Sequence, residues 1–377
     1  MIYHVLPEVE PFSEHYGGAL SRWAANVLRG DENCTIVCPW ADATWGFPPE
    51  QVWSLDGLRN YVWCLRVFRS ASMMSLRLAC IPQLLAPLVK RLQKGDTIYI
   101  HNRPEFALAL TSTCRSRGAR VVLHMQNSHL MGWFPERYRS SLDVDGVVFC
   151  SEFLKREAAH YAKCFEAAVV IPNGADEKIF FPESRGTPKP GDPVVLFVGR
   201  LVPAKGIHVF VDALRLLLRR GVGVSGRIIG ATGFGRNRSS QYIAGIKRNL
   251  PANVQFGEYV AGQGLAEEFR RATIFCCPSV FNEPFGMVNV EAMATRLPVV
   301  ASAVGGIPEI FRQGGAILVR PGSAEELADV IELLVRNPAK CQELADRGYH
   351  AYKSRFRWQQ IRNEYLNLVG QMTTVAA

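Results

Sequence analysis

The stretch PSVFNEPFGMVNVEAMATRLPVVASAVGGIP, residues 278–308, decides how this chain is organised. The run ATIFCCPS before it and its own LPVVAS segment are both apolar, so each predicts a buried strand. Between them, Met287 to Thr295 is predicted to form a helix. Glu283 lies in the turn before that helix and Glu291 lies inside it. The predicted order is therefore strand, loop, helix, strand, with one carboxylate on the loop and one on the helix.

The start of this helix is suited to a phosphate group. The first amides of a helix have no partner within it, and the helix dipole makes that end partly positive. We expect the amides of Phe285, Gly286, Met287 and Val288 to donate to the phosphate. Gly286 lets a ligand approach the backbone closely because it has no side chain.

The two carboxylates would serve the groups on either side of that phosphate. Glu291 lies about one helical turn into the helix, where it can reach a ribose diol. Glu283 precedes the helix and can reach a group on the far side of the phosphate. Since each carboxylate accepts hydroxyl hydrogen bonds, the sequence predicts a ligand with the order nucleoside, diphosphate, sugar.

The segment EPFGMVNVE (283–291), followed by ASAVGGIPEI (301–310), resembles the E-x7-E signature of retaining glycosyltransferases of family 4. The resemblance implies the GT-B fold, an α/β architecture. Two Rossmann-like parallel-sheet domains face a central cleft, and a C-terminal helix crosses back to the first domain. It also implies a nucleotide sugar as donor substrate, no cofactor and no metal. The motif by itself leaves open a plain βαβ unit whose two glutamates are surface charges.

Length and composition agree with two globular domains. The chain has 377 residues, of which 48% are hydrophobic and 20% charged, and its formal charge is +9. Residues 1–170 contain 18 basic and 16 acidic side chains, whereas residues 171–377 contain 25 and 18. The excess lies in the half that holds the predicted phosphate site. We predict no nucleic-acid partner, because no known nucleic-acid-binding signature is present.

The ten cysteines do not form a metal-binding pattern. None stands in C-x-x-C spacing and no histidines cluster with them, so buried reduced thiols in a cytoplasmic protein are the simplest interpretation. The N-terminal MIYHVLPEVEPF lacks the features of a signal peptide, and no run is long enough to span a bilayer. We therefore expect a cytoplasmic protein.

Strands predicted at 2–7, 34–40, 96–102, 120–127 and 146–152 alternate with helices or loops, which indicates a parallel sheet. Gly17 and Gly18 open the first helix. In the resembled family a glycine-rich loop at this point faces the donor diphosphate, and the alternative here is a tight turn. His124 ends its strand, and its place in LHMQNSH matches the family position beside the donor sugar. We therefore predict a catalytic role for His124, and none for His129.

A basic stretch without acidic residues runs from Leu58 to Gly95. Its cations, from Arg59 to Lys94, are interleaved with aromatic and aliphatic side chains. Two interpretations remain open: amphipathic core helices with a basic outer face, or a surface that binds an anionic membrane, peripherally on the inner leaflet.

The domain boundary is predicted at about 170–192. AVVIPNGADEKIFFP (168–182) resembles the family's hinge segment, and a loop rich in proline and glycine follows it. This gives an N-terminal acceptor-binding domain, 1–170, and a C-terminal donor-binding domain, 171–356. The predicted last helix, about 357–377, belongs with the first domain.

The second domain opens with a strand and the loop GRLVPAKG. It matches neither a P-loop nor a dinucleotide-binding fingerprint, but it places Arg200 and Lys205 at the carboxyl end of a strand. Such cations can hold a diphosphate and neutralise the charge on a leaving group, as the matching residues do in the resembled family. The family also has a glycine matching Gly230 beside the nucleotide, and holds the base against the backbone near Tyr259 and Val260.

The sequence thus predicts a retaining, metal-independent transferase. It would move a hexose or N-acetylhexosamine from a nucleotide sugar, most simply UDP-linked, to a saccharide or glycolipid acceptor. The N-terminal half also resembles bacterial enzymes of lipopolysaccharide-core and cell-envelope synthesis. The alternatives are a nucleotide-sugar epimerase or hydrolase of the same fold, a non-catalytic nucleotide-sugar-binding module, and a Rossmann dehydrogenase, which the missing G-x-G-x-x-G disfavours.

Overall fold

A computed structural model describes residues 1–14, 18–42, 44–67, 73–132, 134–182, 193–232 and 241–374. The chain divides into two compact units. One comprises Met1–Pro172 with Ile361–Ala377, and the other comprises Asn173–Gln360. The sequence had suggested a change of domain at about 170–192 and again near 357. The loop at 183–192, which was part of that interpretation, lies outside the described residues.

The first unit is built on a seven-stranded parallel sheet with the strand order β3-β2-β1-β4-β5-β6-β7. Its strands are Ile2–Val5 (β1), Cys34–Cys38 (β2), Val52–Ser54 (β3), Thr97–His101 (β4), Arg120–Met125 (β5), Gly146–Phe149 (β6) and Val169–Val170 (β7). The central strands β1, β4 and β5 are almost entirely buried, which explains their uninterrupted apolar character. The short strands β3 and β7 were not predicted.

Helices connect these strands and cover the sheet. In the described residues they are Ala19–Val27 (α1), Asp56–Val67 (α2), Met74–Leu84 (α3), Ala86–Arg91 (α4), Pro104–Ser116 (α5), His129–Gly132 (α6), Glu136–Arg139 (α7) and Glu152–Ala158 (α8). Helix α1 buries Trp23 against the central strands, where its ring lies 4.8 Å from that of His124 between centroids.

The basic stretch 58–95 forms α2, α3 and α4. Helix α2 is amphipathic: it buries Leu58, Tyr61 and Cys64, and packs against α3. Not all cations of the basic stretch form an outer face, because Arg77 of α3 is 1% exposed. In the described part of the chain, no helix combines the length and apolarity needed to cross a bilayer.

The second unit is built on a six-stranded parallel sheet with the order β10-β9-β8-β11-β12-β13. Its strands are Val194–Val198 (β8), Ser225–Ile229 (β9), Val254–Phe256 (β10), Ile274–Cys277 (β11), Val299–Ser302 (β12) and Ala316–Val319 (β13). In sequence order this is the 3-2-1-4-5-6 arrangement of a Rossmann fold, so the strand order reverses between β8 and β11. The predicted α/β class with two Rossmann-like parallel sheets is confirmed.

The helices of the second unit enclose a core of aliphatic and aromatic side chains. They are Ile207–Arg219 (α9), Gln241–Arg248 (α10), Gly262–Arg271 (α11), Met287–Ala294 (α12), Ile307–Ile310 (α13), Ala324–Arg336 (α14) and Pro338–Arg355 (α15). The last helix, Trp358–Thr374 (α16), begins in this unit, and from Ile361 onward its residues belong to the first. There Tyr365 is buried against His4 of β1.

Candidate active site

The candidate site of the second unit lies at the carboxyl edge of its sheet, where the strand order reverses. Two loops meet there because β8 and β11 are neighbours: residues 199–206 follow β8 and residues 278–286 follow β11. In open α/β sheets, this reversal point is where ligands bind.

Backbone contacts hold the two loops together. Val280 N donates to Ala204 O at 2.9 Å. Gly206 has φ +72°, and a Cβ atom added to it would lie 1.8 Å from the carbonyl oxygen of Pro278. Only glycine therefore fits at this position, both for its left-handed backbone and for the space. The close approach places Lys205 directly opposite the second loop.

Lys205 Nζ forms an ion pair and hydrogen bond with Glu283 Oε1. The same carboxylate oxygen accepts a hydrogen bond of 2.7 Å from Ser279 Oγ. The Lys205 ammonium also lies 5.0 Å from the centre of the Phe281 ring. The side chain of Glu283 is only 5% exposed and that of Lys205 is 19% exposed. The cation and the hydroxyl together make burial of this carboxylate tolerable.

The N-terminus of α12 lies directly after this loop. Gly286 is its N-cap residue with φ +98°, and no side chain caps the helix. Asn289 N and Nδ2 both bond to Gly286 O, at 3.0 and 3.1 Å. Met287 and Val288 are half-buried, and Phe285 is buried. This leaves the amides of Met287 and Val288 as the candidate donors to an anion at the start of the helix.

The two glycines of the AVGG segment fix the backbone around Glu283. Gly306 N donates to Glu283 O at 2.7 Å. A Cβ atom at Gly305 would lie 2.2 Å from the same oxygen. The second half of the resembled motif thus holds the first half in place.

The other predicted donor residues of this unit lie on or directly after four elements, namely α12, β8, β9 and β10. Glu291 is 2% exposed within α12. Arg200 is exposed at the end of β8. Gly230 ends β9, and a Cβ atom there would lie 1.9 Å from Gly199 O, so Gly230 allows the loop of Arg200 to pack against the end of β9. Val260 is half-buried in the loop after β10, next to the exposed Tyr259.

A neighbouring thiol does not supply a nucleophile. Burial raises the pKa of Cys277 to about 11, and the nearby Glu283 carboxylate acts in the same direction. The thiol therefore stays protonated at neutral pH. Among the described residues, no group of His, Cys, Asp and Glu side chains is arranged to hold a metal ion.

The predicted residues of the first unit occupy different surroundings from those expected. His124 is 0% exposed and its Nδ1 lies 3.1 Å from His101 Nδ1, so its ring belongs to the interior. The first side chain beyond β5 is instead Gln126, which is half-buried. The sequence analysis did not predict a role for Gln126, although this residue lies in the same LHMQNSH segment.

An intrinsic carboxylate occupies the start of α1. Ser21 N donates to Glu10 Oε1 at 2.9 Å, and a Cβ atom at Gly18 would lie 2.8 Å from that oxygen. Burial raises the pKa of Glu10, while hydrogen bonds from Ser21 and Leu20 lower it. We expected a ligand phosphate to approach the backbone at Gly17 and Gly18. The anion found against Gly18 is Glu10, and Gly17 lies outside the described residues.

A buried ionic cluster, which was not predicted, fills the reversal point of the first sheet between β1 and β4. Arg103 bonds to both oxygens of Glu8. Arg103 also lies 3.7 Å from Glu105, whose pKa is raised by burial. Burial and the nearby arginines lower the pKa of His129 to about 3. His129 is therefore a neutral member of a packed cluster.

Comparisons with known proteins agree with this geometry. Residues 181–351, which contain the loops, α12 and both glutamates, match the family model of glycosyl transferases group 1. The family match thus covers most of the second unit.

Among curated proteins, the chain is 32% identical over 229 residues to D-inositol 3-phosphate glycosyltransferase of Actinosynnema mirum. The aligned region covers 57% of this chain and 54% of that protein, so the chain spans about half the length of the relative it matches. The expectation of a transferase enzyme is supported by both matches.

Solved structures match nearly the whole chain. Sucrose-phosphate synthase from Thermosynechococcus elongatus has a TM-score of 0.75 at 19% identity, covering 99% of each chain. Anabaena HepE in complex with UDP has a TM-score of 0.76 at 21% identity, covering 98% of this chain and 99% of that one. At such identities the likeness establishes the fold, and it confirms the predicted GT-B fold.

Proposed function

We propose that the chain is a glycosyltransferase that moves a hexose or N-acetylhexosamine from a UDP-linked sugar to a saccharide or glycolipid acceptor. The observation that carries this proposal is the Lys205–Glu283 pair beside the open N-terminus of α12, at the reversal point of a Rossmann sheet. A cation, free amides and a carboxylate are there combined within a few residues. They suit a ligand that carries both phosphate and hydroxyl groups. The bound UDP in HepE supports the choice of base.

In this proposal, catalysis is electrostatic. The bond between the anomeric carbon and the diphosphate oxygen breaks, the acceptor oxygen bonds to the same carbon, and the acceptor proton passes to the departing diphosphate. Lys205, Arg200 and the amides of Met287 and Val288 stabilise the charge on the leaving group. Glu283 orients Lys205 and accepts hydroxyl hydrogen bonds from the sugar.

The remaining parts of the proposal follow from the same chemistry. Glu291 binds the ribose hydroxyls, and the acceptor approaches on the leaving-group face, so the anomeric configuration is retained. Cationic side chains stabilise the charge on the leaving group, as a metal ion would, so no metal is required. We place the enzyme in the cytoplasm, in the synthesis of bacterial cell-envelope glycans such as lipopolysaccharide. The names of the matched relatives support glycan synthesis in general.

A thermal-shift screen of UDP-, GDP- and ADP-sugars tests the donor, because a ligand that binds only the folded state raises Tm. We expect UDP-sugars to give the largest shift. Incubation with radiolabelled donor then separates the alternatives. Label on an added saccharide acceptor supports transfer, whereas an altered free nucleotide sugar indicates epimerisation, and free sugar indicates hydrolysis. A thermal shift without any turnover indicates a binding module and refutes the proposal.

We also propose that the outer face of α2 and α3 binds an anionic membrane. Trp63 is 64% exposed, Val67 45% and Leu76 48%. Arg59 and Arg66 are exposed beside them on α2, at the spacing of one helical face. The packing of the core does not explain why these apolar side chains are exposed. Together with the cations they form the pattern by which a helix lies in a bilayer interface.

Sedimentation with vesicles tests this surface. We expect more binding to vesicles that contain phosphatidylglycerol than to pure phosphatidylcholine, and a several-fold loss of binding in Trp63→Ser. The matched control is Leu333→Ser, because Leu333 is also an exposed apolar side chain, 50% exposed on α14, but lies outside the proposed surface. Binding that does not depend on the anionic lipid, or an equal loss in the control, would rule the surface out.

A further inference from the structure

A line of hydrogen-bonded side chains crosses the centre of the first sheet. Tyr365 Oη lies 2.9 Å from His4 Nε2, and His4 Nδ1 lies 3.1 Å from His101 Nε2. His101 Nδ1 lies 3.1 Å from His124 Nδ1. At the far end, His124 Nε2 lies 3.4 Å from the amide nitrogen of Gln126. The line therefore runs from the C-terminal helix α16, through β1, β4 and β5, to the carboxyl edge of the sheet.

The three imidazoles in this line are neutral. All three are 0% exposed, and burial lowers the pKa of His4 and His124 to about 3 and that of His101 well below its usual value. A neutral imidazole carries one N–H donor and one bare nitrogen acceptor. Each ring can therefore donate in one direction only, so the rings must be ordered head to tail.

The amide of Gln126 sets the direction of that order. Its nitrogen donates to His124 Nε2, so the proton of His124 must be on Nδ1. His124 then donates to His101 Nδ1, and His101 donates through Nε2 to His4. Finally, His4 donates through Nε2 to the Tyr365 hydroxyl. One set of tautomers satisfies every hydrogen bond in the line. In the reverse order, His124 Nε2–H would face the N–H of the Gln126 amide, and the amide would have to rotate so that its oxygen faced the ring.

With the amide held in this way, its oxygen faces away from the histidines. Gln126 Oε1 is buried and has no hydrogen-bond partner among the described residues. Leaving such a buried oxygen unpaired is unfavourable, and a hydroxyl donor at this position would satisfy it. The oxygen lies just beyond the carboxyl end of β5, the edge where parallel sheets bind their ligands.

We propose that Gln126 accepts a hydrogen bond from a hydroxyl of the carbohydrate substrate, and that Tyr365, His4, His101 and His124 are positioning residues that keep its amide oxygen turned away from the rings. The inference rests on the proposed glycosyl transfer. The sequence analysis assigns a ligand contact to His124. The present proposal assigns that contact to Gln126, two residues further along the chain. The hydroxyl can belong to the transferred sugar or to the acceptor.

Gln126→Met tests the contact, because it keeps the length of the side chain and removes the acceptor. We expect kcat/KM to fall about 10- to 100-fold, as for the loss of one buried hydrogen bond, while UDP alone still raises Tm as in the parent. A rise confined to the donor KM or to the acceptor KM identifies the source of the hydroxyl. Activity within twofold of the parent would overturn the proposal.

Tyr365→Phe and Tyr99→Phe test the line of histidines as a matched pair. Both side chains are buried against the same rings, but the hydroxyl of Tyr99 has no hydrogen-bond partner among the described residues. We expect Tyr365→Phe to lower kcat/KM about 3- to 10-fold and to shift the ¹⁵N imidazole resonances of His4 and His124. Tyr99→Phe should change neither. Equal effects in both variants would mean that Tyr365 only contributes packing.

The ¹⁵N spectrum of the parent protein also tests the order directly. We expect His124 to be the Nδ1–H tautomer, and an Nε2–H tautomer would refute the order. This measurement needs no turnover. A parent without any transferase activity would refute the proposed function and the substrate contact of Gln126, while the spectrum would still decide the order of the histidines.

Discussion

Replacing Lys205 with methionine would separate the two roles that the structure gives this residue. Its ammonium neutralises the buried Glu283 carboxylate in the free protein. In the proposed reaction, the same ammonium also stabilises the departing diphosphate. Methionine keeps most of the side-chain length while removing the charge, and with it the contact of the ammonium with the Phe281 ring.

The loss of stability can be estimated from the burial of Glu283. Its side chain is 5% exposed, so losing the cation leaves a buried carboxylate that still accepts the hydrogen bond from the Ser279 hydroxyl. Breaking a buried pair costs about 3–5 kcal/mol, and the remaining hydroxyl bond favours the lower end. For a unit of this size, about 3 kcal/mol lowers Tm by about 6–12 °C. The double variant Lys205→Met/Glu283→Gln should recover most of this loss, because no unpaired charge remains.

The loss of activity should not recover in the double variant. Removing one fixed donor from a developing negative charge costs about 10²- to 10³-fold in kcat. We therefore expect both variants to be slow, with only the single variant strongly destabilised. The assay combines Tm by calorimetry with transfer of radiolabelled sugar at 25 °C.

Arg227→Met serves as the control for this experiment. Arg227 of β9 pairs with Glu268 of α11 at 2.8 and 3.1 Å in the same unit, and neither residue belongs to the two loops. This variant should lose stability and keep its transfer rate. Near-parental turnover in Lys205→Met, or recovered turnover in the double variant, would refute the role of Lys205 in leaving-group stabilisation.

Three further predictions follow from the structure. Gly206→Ala should abolish transfer and lower stability by more than 3 kcal/mol, because its Cβ would lie 1.8 Å from Pro278 O. Gly221→Ala has a similar φ of +69°, and no atom of the described residues lies within 4 Å of its added Cβ, so it should cost only about 1 kcal/mol. Equal losses of Tm in the two variants would contradict the account of the loop contact. Lowering the pH should destabilise the first unit: His4 and His124 have a folded pKa of about 3 against 6.5 when unfolded, so the unfolded chain binds the extra protons. Each should remove about 1.4 kcal/mol per pH unit as the pH falls from 6.5 towards 3, and a urea midpoint that does not move between pH 7.5 and 5 would show that these rings are already protonated or exposed. Millimolar EDTA should leave the transfer rate unchanged, and a loss that Mg²⁺ restores would contradict charge stabilisation by the protein alone.

The second unit was predictable from the sequence to a large extent because its site is largely local. Residues 278–308 form one strand–loop–helix–strand unit, and their order along the chain is their order in space. The predicted helix from Met287 to Thr295 agrees with the observed Met287–Ala294. The contact between Lys205 and Glu283 was not predictable, since it depends on β8 and β11 being neighbours and on the missing side chain of Gly206.

In the first unit, the surroundings of individual side chains could not be predicted from the sequence. His124 lies near the end of a strand, which favoured a ligand-facing role. The sequence does not reveal that Trp23 of α1 covers its ring, so that the layer of packed side chains extends past His124 to Gln126. The contact of Glu10 with the start of α1 was not predicted for a similar reason. A carboxylate can accept hydrogen bonds from the first amides of a helix that begins many residues away in the sequence. The strands β3 and β7 contain only three and two residues, too few for an apolar pattern to be recognised.

Most of α16 belongs to the first unit, and this has a practical consequence. Tyr365, near the end of the chain, completes an aromatic layer whose other members lie within the first 124 residues. A recombinant fragment that stops at Pro172 would lack that tyrosine and leave Trp23 and His4 without their cover. A synthetic peptide spanning 361–374 would be its natural complement, and mixing the two would be a way to reconstitute the half-molecule for spectroscopy.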